Sequence, residues 1–271
     1  RPQPSFRLLP AASASTYPSL QATTSNRVHQ FDLVGPRYLK GSSVRRYFLV
    51  YKDVYDQSPY LEFHGPLTLE LVLDFVVRAW QELGLPHYLQ VDNGHFFAGS
   101  KRWPGSLNRF LRLLLLVGIE VVFIPEGEPF RNGSVENFNG WFQERLWAIR
   151  LHRPAQVRHE LQVLMAVCRG EHIHPQLGFQ TTAQVRRGFR PRRLPAHFDA
   201  HHQPMPIAVG KITFIRKVRI SGRITMLGVK IKVGKRWHGR YVQATLYTRT
   251  AKMKIYHGRQ LIKQVEFPIH E

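Results

Sequence analysis

The sequence predicts an α/β fold, in which a mixed sheet is flanked by helices, followed by a small all-β barrel. Two observations lead to this prediction. Residues 27–180 alternate short apolar runs with segments of helical periodicity in the order β-β-β-α-β-α-β-α-α. From Ile207 onward the pattern changes to five short alternating runs separated by glycines, which is typical of a small β-barrel.

The α/β part begins with three predicted strands. They are runs rich in β-branched and aromatic residues over 28–33, 44–55 and 60–63. Turn residues such as Gly35 and Pro36 separate these runs, so we expect an antiparallel meander.

The rest of the α/β part alternates helices with strands. Helical spacing of apolar residues predicts helices over 67–83, 107–117, 134–150 and 155–169. Short apolar runs predict strands over 87–91 and 119–124. The second of these runs is continuous and rich in β-branched residues, as expected of a strand that is buried on both faces.

Length and composition limit the class of protein. The chain has 271 residues, of which 43% are apolar, so it can build a core in one large domain or two smaller ones. Its single cysteine, Cys168, excludes an internal disulfide and any zinc site that needs two thiolates. The longest apolar stretch, 111–124, contains Arg112 and Glu120, so we expect no segment that spans a membrane.

Basic charge is concentrated at the end of the chain, although the whole sequence carries a net charge of +21. Residues 205–271 contain 15 basic and 2 acidic side chains, whereas residues 27–180 contain 17 basic and 15 acidic ones. This asymmetry indicates that the C-terminal part holds a polyanion, with DNA or RNA as the leading candidate. A basic protein that needs solubility, or one that binds an anionic membrane, is the alternative.

Four segments follow from these patterns. Residues 1–26 are an extended linker rich in Pro, Ser, Ala and Thr, and 27–180 are the α/β core. Residues 181–204 are a basic connector, and 205–271 are the β-barrel. Since the sequence starts without Met and without a signal segment, we expect a trimmed chain or a piece of a longer one.

Three acidic residues stand at positions where strands and helices meet. Asp32 lies on the first strand, Asp92 ends the strand at 87–91, and Glu136 lies in the first turn of the helix at 134–150. Three carboxylates brought together require a counter-charge, and Mg²⁺ with its preference for oxygen ligands supplies one. The alternative for each residue taken singly is a turn or surface role, or stabilisation of a helix dipole.

Four motifs resemble a known family. They are HQFD at Asp32, VDNGHFF at Asp92, GEPFRNGSVENFNGWFQERLW around Glu136, and HPQLGFQTTAQV at 174–185. Over about residues 27–190 they resemble the catalytic core of insertion-sequence transposases and retroviral integrases, the DDE superfamily with an RNase H-like fold. The segment GRITMLGVKIKVGKRWHGRYVQA is similar to the small SH3-like barrel that follows this core in many such transposases.

The resemblance implies both a site and a reaction. Asp32, Asp92 and Glu136 would form a catalytic triad that binds two Mg²⁺ ions, for which Mn²⁺ can substitute. Water would attack a phosphodiester at an element end, and the freed 3′-OH would then attack target DNA. The implied partners are element ends, target DNA, further copies of this chain and accessory transposition proteins. The implied location is cytoplasmic, in association with DNA in the nucleoid.

The sequence also departs from the family pattern. Asp92 and Glu136 are separated by 43 residues, which is longer than the family's usual interval, and KRWPGS at 101–106 is the expected place of an insertion. The upstream helix-turn-helix region of many such transposases and the zinc module of retroviral integrases have no counterpart in this sequence.

Several polar residues are candidates for contacts with DNA. Asn93 and Arg131 flank the acidic positions in turns, and Asn139 and Gln143 share a helix face with Glu136. For these four, a turn role or simple solvent exposure is the alternative. The basic candidates lie in the connector and the barrel: Arg186, Arg187, Arg190, Arg192, Arg193, Lys211, Lys217, Lys230, Lys232, Lys235 and Arg236.

Two other classes of function stay open at this stage. One is an RNase H-like nuclease that hydrolyses DNA without joining it. The other is a non-catalytic DNA-binding scaffold within a larger transposition complex. Joined strand-transfer products distinguish a transposase from the nuclease, and the loss of turnover with retained DNA binding identifies the scaffold.

Overall fold

A computed structural model describes residues 17–99 and 102–270. Most of the predicted linker, residues 1–16, and part of the predicted insertion, residue 101, lie outside the described residues. The chain divides into two compact units, which we describe separately. The N-terminal unit comprises Ala22–Leu89 and Asn132–Gln203, and the C-terminal unit comprises Gln90–Arg131 and Pro204–Glu271 with the described N-terminal residues up to Gln21.

The secondary structure consists of thirteen strands and six α-helices within the described ranges. The strands are β1 (Val28–Arg37), β2 (Arg46–Asp53), β3 (Pro59–His64), β4 (Tyr88–Val91), β5 (Glu120–Phe123), β6 (Ile173–His174), β7 (Gln180–Thr181), β8 (Lys211–Lys217), β9 (Arg223–Met226), β10 (Val229–Lys232), β11 (Tyr241–Tyr247), β12 (Lys252–His257) and β13 (Gln260–Glu266). The helices are α1 (Leu69–Leu83), α2 (His95–Ala98), α3 (Arg109–Leu116), α4 (Gly133–Trp147), α5 (Pro154–Gly170) and α6 (Thr182–Arg186).

The N-terminal unit is built on the antiparallel meander of β1, β2 and β3. Phe31 pairs with Tyr51, and both rings lie against Phe75 of α1. On the opposite face, Phe48 packs against Phe142 of α4 at 5.2 Å between ring centroids. Because successive side chains of a strand alternate between faces, the meander is covered by helices on both sides.

The C-terminal unit joins two distant parts of the chain. Strand β5 pairs in parallel with β8, and β8, β11, β12 and β13 continue as an antiparallel sheet, so this sheet is mixed. Phe123 of β5 stacks on Phe214 of β8 with ring centroids 4.8 Å apart. Helix α3 packs on β5, and Asn108 caps this helix by accepting a hydrogen bond from the Leu111 N–H at 3.0 Å.

The fold class is confirmed by the structure as a mixed α/β fold with extra small strands at the C-terminus, consistent with an SH3-like region. The sequence predicts five strands after residue 207, whereas the structure has six, β8 to β13. The difference arises between β11 and β12, where the chain turns at Thr248–Thr250 and Ala251 takes a positive φ, so no glycine separates these two strands in the sequence. No helix in the described ranges is long and apolar enough to cross a membrane. The predicted domain boundaries stay a prediction.

Candidate active site

Asp32 lies in the middle of β1, and its environment follows from the register of the meander. It pairs with Val50 of β2, and Val50 belongs to the core that α4 covers. The Asp32 side chain therefore lies on the α4 side of the sheet. Its carboxylate accepts hydrogen bonds from Asn139 Nδ2 at 2.7 Å and from the Leu33 N–H at 2.9 Å.

Glu136 lies in the first turn of α4 and is half-buried. Burial and the negative charge of Asp32 both raise the pKa of Glu136 above its ordinary value. Within the residues that the structure describes, Glu136 forms no ion pair with a basic side chain. The structure therefore brings Asp32 and Glu136 close enough to repel each other and gives Glu136 no counter-charge from the chain.

Polar residues of the meander fix the start of α4. Gln30, two residues before Asp32, accepts a hydrogen bond from the Val135 N–H at 2.9 Å. Lys52 donates to the Ser134 carbonyl at 3.2 Å. The first contact satisfies a backbone N–H at the helix N-terminus that has no acceptor within the helix, and the second adds a donor to a carbonyl of the first turn. The first turn of α4, which carries Glu136, is therefore held against the meander by side chains of β1 and β2.

Asn139 connects Asp32 to α4, the helix that carries Glu136. It lies one turn after Glu136, and its Nδ2 donates to Asp32. Its Oδ1 is buried and has no hydrogen-bond partner in the described part of the chain. A buried acceptor left without a donor costs free energy, so this oxygen is suited to a water molecule or a cation at the same place.

Asp92 belongs to the C-terminal unit, at the end of β4. Its Oδ1 accepts a hydrogen bond from the Gly94 N–H at 2.8 Å, which forms the tight turn that the Asp-Asn-Gly sequence predicts. Asn93 donates to the Ile124 carbonyl at 2.7 Å. The turn role of Asn93 is confirmed, and its contact with DNA stays a prediction.

The sequence did not indicate Arg216, a buried arginine of β8 that holds this turn. Arg216 is 5% exposed, and it donates to Asn93 Oδ1 at 2.6 Å, to the Ile124 carbonyl at 3.0 Å and to the Thr225 carbonyl at 2.9 Å. Burial lowers the pKa of Arg216 to about 10, so it stays protonated at neutral pH. A strand of the basic C-terminal part thus positions the residue next to Asp92.

Across the described residues, no group of three or more His, Cys, Asp or Glu side chains is arranged to hold a metal ion. The contribution of Asp92 to a site with Asp32 and Glu136 therefore stays a prediction. So do the roles of the three residues in catalysis and in metal binding.

The other predicted contacts in the core have partners within their own units. Arg131 pairs with Glu128 at 3.1 Å and lies over the Tyr17 ring at 4.1 Å. Gln143 accepts hydrogen bonds from Arg37, the shorter of them 2.7 Å, and donates to the Asn139 carbonyl at 3.0 Å. Contacts of Arg131, Asn139 and Gln143 with DNA stay predictions.

The connector arginines divide into two groups. Arg186 is bound by two buried carboxylates, Asp53 at 2.9 Å and Asp56 at 2.7 Å. Arg192 and Arg193 each donate to a backbone carbonyl of the N-terminal unit at 2.6 Å. The remaining two, Arg187 and Arg190, are exposed. The structure thus gives the first group a role in the fold, and contact of any of the five with DNA stays a prediction.

The basic residues of the C-terminal part are largely exposed. Lys230 pairs with Thr225 and Lys232 with Arg223 across the β9–β10 hairpin, so these positions share one face, while Ile231 is buried on the other. The alternation that the sequence predicts for Lys230 and Lys232 is therefore confirmed. Lys217, Lys235 and Arg236 are also exposed, whereas Lys211 pairs with Glu120 at 3.0 Å.

Comparison with solved structures identifies the fold. The chain matches a chain of the simian T-cell lymphotropic virus intasome, solved by cryo-EM in complex with the PP2A regulatory subunit B56 gamma. The TM-score is 0.53 at 16% sequence identity, covering 88% of this chain and 76% of that one. This is a retroviral integrase fold.

Other solved integrase folds are similar over a shorter range. The HTLV-2 integrase catalytic core, solved with magnesium in a dimeric form, matches with a TM-score of 0.46 and 15% identity over 61% of this chain and 99% of that one. The BIV integrase catalytic core matches with a TM-score of 0.45 and 16% identity over 59% of this chain and 93% of that one. No family model matches the sequence, and no curated protein matches it.

The integrase fold agrees with the resemblance that the motifs around Asp32, Asp92 and Glu136 carry in the sequence. The RNase H-like core and the additional C-terminal strands are both accounted for by this fold. Because the sequence identities are low, the comparison concerns the fold, and the chemistry must be argued from the residues.

Proposed function

We propose that this chain is a DNA transposase or integrase, a polynucleotidyl transferase whose triad is Asp32, Asp92 and Glu136. The observation that carries the proposal is the Glu136 carboxylate, half-buried beside Asp32 without a basic partner in the described residues. In this chain Asp32 lies on β1 and Glu136 on α4, where the strand and the helix meet. Asp92, which ends β4, joins them in the proposal on the strength of its motif.

The residues fit a hard divalent cation. Two carboxylates that repel each other are stabilised by a positive charge between them, and Asn139 Oδ1 adds an unsatisfied oxygen nearby. Oxygen ligands of this kind favour Mg²⁺, with Mn²⁺ as a substitute. Asp32, Asp92 and Glu136 would hold two ions, which when bound would activate the attacking oxygen and stabilise the leaving oxygen.

The side chains around the pair orient it. Asn139 donates to one oxygen of Asp32 and thereby fixes the plane of that carboxylate. Gln30 and Lys52 hold the first turn of α4, and with it Glu136, against the meander. Burial and the charge of Asp32 raise the pKa of Glu136, so a cation bound beside the pair would favour the carboxylate form of Glu136.

The proposed reaction has two steps at one site. Water attacks a phosphodiester at an element end and frees a 3′-OH, and this 3′-OH then attacks a phosphodiester of target DNA. Each step breaks one P–O bond and forms another, so the chain mainly positions the reacting oxygens. We propose that two DNA ends are held by several copies of this chain, as in the family that the motifs resemble.

The exposed basic face of the β9–β10 hairpin is the proposed contact with the DNA backbone. Arg223, Lys230 and Lys232 lie on this face, and Lys235 and Arg236 follow it. Contacts to phosphates release counter-ions, so DNA binding by this face would weaken steeply as salt is raised. Accessory proteins that direct the chain to its targets belong to the same proposal.

The test is the nicking and joining of supercoiled plasmid DNA by the full chain in Mg²⁺ and in Mn²⁺. The variant is Glu136→Gln, and the matched control is Glu144→Gln, an exposed glutamate on the same helix. We expect metal-dependent nicked and joined products from the wild type and the control, and a loss of at least about a hundredfold in Glu136→Gln.

Other outcomes select the rival functions. Nicking without any joined product, abolished in Glu136→Gln, would identify a nuclease. Salt-sensitive DNA binding by all three proteins without turnover would identify a non-catalytic scaffold. Equal activity in the wild type and in Glu136→Gln would refute the proposed triad.

A further inference from the structure

The N-terminal unit contains a cavity of about 440 Å³ that the proposed chemistry does not use. It lies between the end of β2, one face of α4, and the segment that follows α5. Its volume is within the range of about 300–1,000 Å³ that small-molecule sites occupy. Glu136 and Asp32 are not among the residues that line it.

The cavity carries positive charge without a matching negative one. Lys52 lines it and is only 5% exposed, and no Asp or Glu side chain takes part in the lining. The nearest acids on its strand and the following turn, Asp53 and Asp56, attract the Lys52 ammonium, but they pair directly with other groups, His29 and Arg186. Within the described ranges, Lys52 has no ion pair with a carboxylate. A buried ammonium without a counter-ion is costly, so an anion at this place would stabilise it.

A second unsatisfied group faces the same cavity. His174 lines it, and its Nε2 is buried without a hydrogen-bond partner among the described residues. Burial and the charges of His172 and Lys52 lower the pKa of His174, whereas a hydrogen bond with the Cys168 backbone acts in the opposite direction. One ring N–H is engaged by that backbone, so Nε2 donates to an oxygen of a bound anion when the ring is protonated, and the charge of the anion favours that form.

The remaining wall is aromatic. The rings of Phe138 and Trp141 are nearly parallel, at 22°, with centroids 5.7 Å apart, and His172 lies edge-on to Trp141 at 5.7 Å. The Lys52 ammonium lies 5.2 Å from the centre of the Phe138 ring. An amine and an aromatic surface are therefore side by side, which is the arrangement that an aromatic ring carrying an acid group would match.

We propose that this cavity is a binding site for a small aromatic carboxylate. Its carboxylate would accept hydrogen bonds from Lys52 Nζ and His174 Nε2, and its ring would pack on Phe138 and Trp141. Phosphate is less suited, because Lys52 is the only Lys or Arg among the lining residues and a phosphate would leave the aromatic wall uncovered. The site does not depend on the proposed DNA chemistry.

The test uses the full chain, without DNA or metal, and two probes of the same shape. Calorimetric titration with 2-naphthoate is expected to give saturable binding of one molecule per chain, and 2-naphthamide, which lacks the charge, to bind at least tenfold more weakly. Lys52→Met is expected to lose at least tenfold in naphthoate affinity. The control, Lys40→Met, removes the same charge from an exposed position of the same unit and is expected to bind as the wild type does.

A second variant covers the case in which Lys52→Met does not fold. Gln176 is exposed and lines the cavity, so Gln176→Trp is expected to block naphthoate binding while leaving the core intact. Equal affinity for naphthoate and naphthamide would overturn the proposal, because the charge would then be irrelevant. Equal loss in Lys52→Met and Lys40→Met would overturn it too, since the ligand would then bind a diffuse basic surface. Displacement of naphthoate by inorganic phosphate at equal concentration would also overturn it, because the site would then prefer phosphate to an aromatic carboxylate.

Discussion

Two pairs of acidic side chains in the N-terminal unit are held in opposite ways. Asp53 and Asp56 are fully buried, and the chain neutralises them with His29 at 3.2 Å and with Arg186 at 2.9 and 2.7 Å. Burial alone would raise the pKa of Asp53, but His29, the Asn26 N–H and Arg186 together hold that pKa below its usual value.

The pair formed by Asp32 and Glu136 lacks such a neutralising arrangement around Glu136. The Asp32 carboxylate accepts hydrogen bonds from the neutral amide of Asn139 and from a backbone N–H. Burial and repulsion by Asp32 raise the pKa of Glu136, and burial and repulsion by Asp53 raise the pKa of Asp56 in the same way. At Asp56, however, the Arg186 guanidinium opposes the rise.

The difference teaches where each counter-charge comes from. Where carboxylates serve the fold, this chain provides its own cations, because a buried unpaired charge would destabilise the native state. Glu136 lies beside Asp32 and has no basic partner among the described residues, so a cation bound from the solvent would stabilise the folded protein there. The contrast can be tested by removing the cation that pairs with Asp53 and Asp56, by titrating another paired carboxylate, and by altering Asn139 and Glu136 beside Asp32.

The largest effect is expected from removing the internal cation. Arg186→Met removes the guanidinium that pairs with both buried carboxylates, Asp53 and Asp56, so we expect a loss of about 4 kcal/mol in the free energy of unfolding. Urea unfolding monitored by circular dichroism measures it. The matched control is Arg187→Met, an exposed neighbour that should change the stability by less than about 0.5 kcal/mol. Similar values for the two variants would contradict a structural role for Arg186.

A paired carboxylate should also govern the stability at acid pH. Glu62 is largely buried, and despite that burial its hydrogen bonds with His64, Arg78 and Tyr60 lower its pKa to about 2. A lowered folded-state pKa contributes stability that is fully present above the unfolded value and is lost as the pH falls toward 2. We expect the free energy of unfolding to fall by about 2 kcal/mol from this group as the pH is lowered from 5 to 2.

The measurement for Glu62 is the free energy of unfolding between pH 5 and pH 2. Glu62→Gln should be less stable than the wild type at neutral pH and should show a shallower decline on acidification. Glu70→Gln, which removes an exposed carboxylate, should keep the wild-type slope. If the free energy of unfolding of Glu62→Gln declined with pH as steeply as that of the wild type, other carboxylates would control the stability at acid pH.

A smaller effect is expected from the amide that orients Asp32. Asn139→Ala removes the hydrogen bond of 2.7 Å and also the unsatisfied Oδ1, so the cost in unfolding free energy should be about 1 kcal/mol. Strand transfer should fall more than this stability change implies, because Asp32 loses its fixed orientation. Plasmid joining compared with thermal unfolding separates the two effects, and a loss of activity that only parallels unfolding would assign Asn139 to stability alone.

The smallest stability effect, with opposite sign, is expected at Glu136. Glu136→Gln removes a charge that Asp32 repels, so without divalent ions the variant should be as stable as the wild type or more stable by up to about 0.5 kcal/mol. Addition of Mg²⁺ or Mn²⁺ should raise the melting temperature of the wild type and of Glu144→Gln, but not that of Glu136→Gln. A metal-induced shift of equal size in all three would place the bound cation elsewhere.

The sequence predicted the elements and the order of the acidic positions because both leave local traces. Helical spacing located α1, α4 and α5, and the Asp-Asn-Gly turn located Asp92. Arg216 left no such trace, because a single arginine on a strand of the basic C-terminal part has the same local pattern as its exposed neighbours. Its burial is decided by the pairing of β5 with β8, two strands that are far apart in the chain.

The structural role of Arg186 could not be predicted from the sequence, for a related reason. In the sequence it is one of five arginines in a proline-containing connector, and such a segment indicates a solvated, DNA-facing stretch. The two carboxylates that bind it, Asp53 and Asp56, lie more than a hundred residues earlier. They also accept hydrogen bonds from the Tyr55 and Ser58 N–H groups of their own turn, so nothing in the local sequence there indicates a distant arginine.

The pairing of β5 with β8 also bears on how the protein can be dissected. A chain cut after residue 204 would keep every predicted triad residue, yet it would expose the hydrogen-bonding edge of β5 that β8 now occupies. It would also lose Arg216, the side chain that anchors Asn93 beside Asp92. Such a shortened protein would be prone to associate through the open edge, and its inactivity would report a damaged scaffold and not the absence of chemistry.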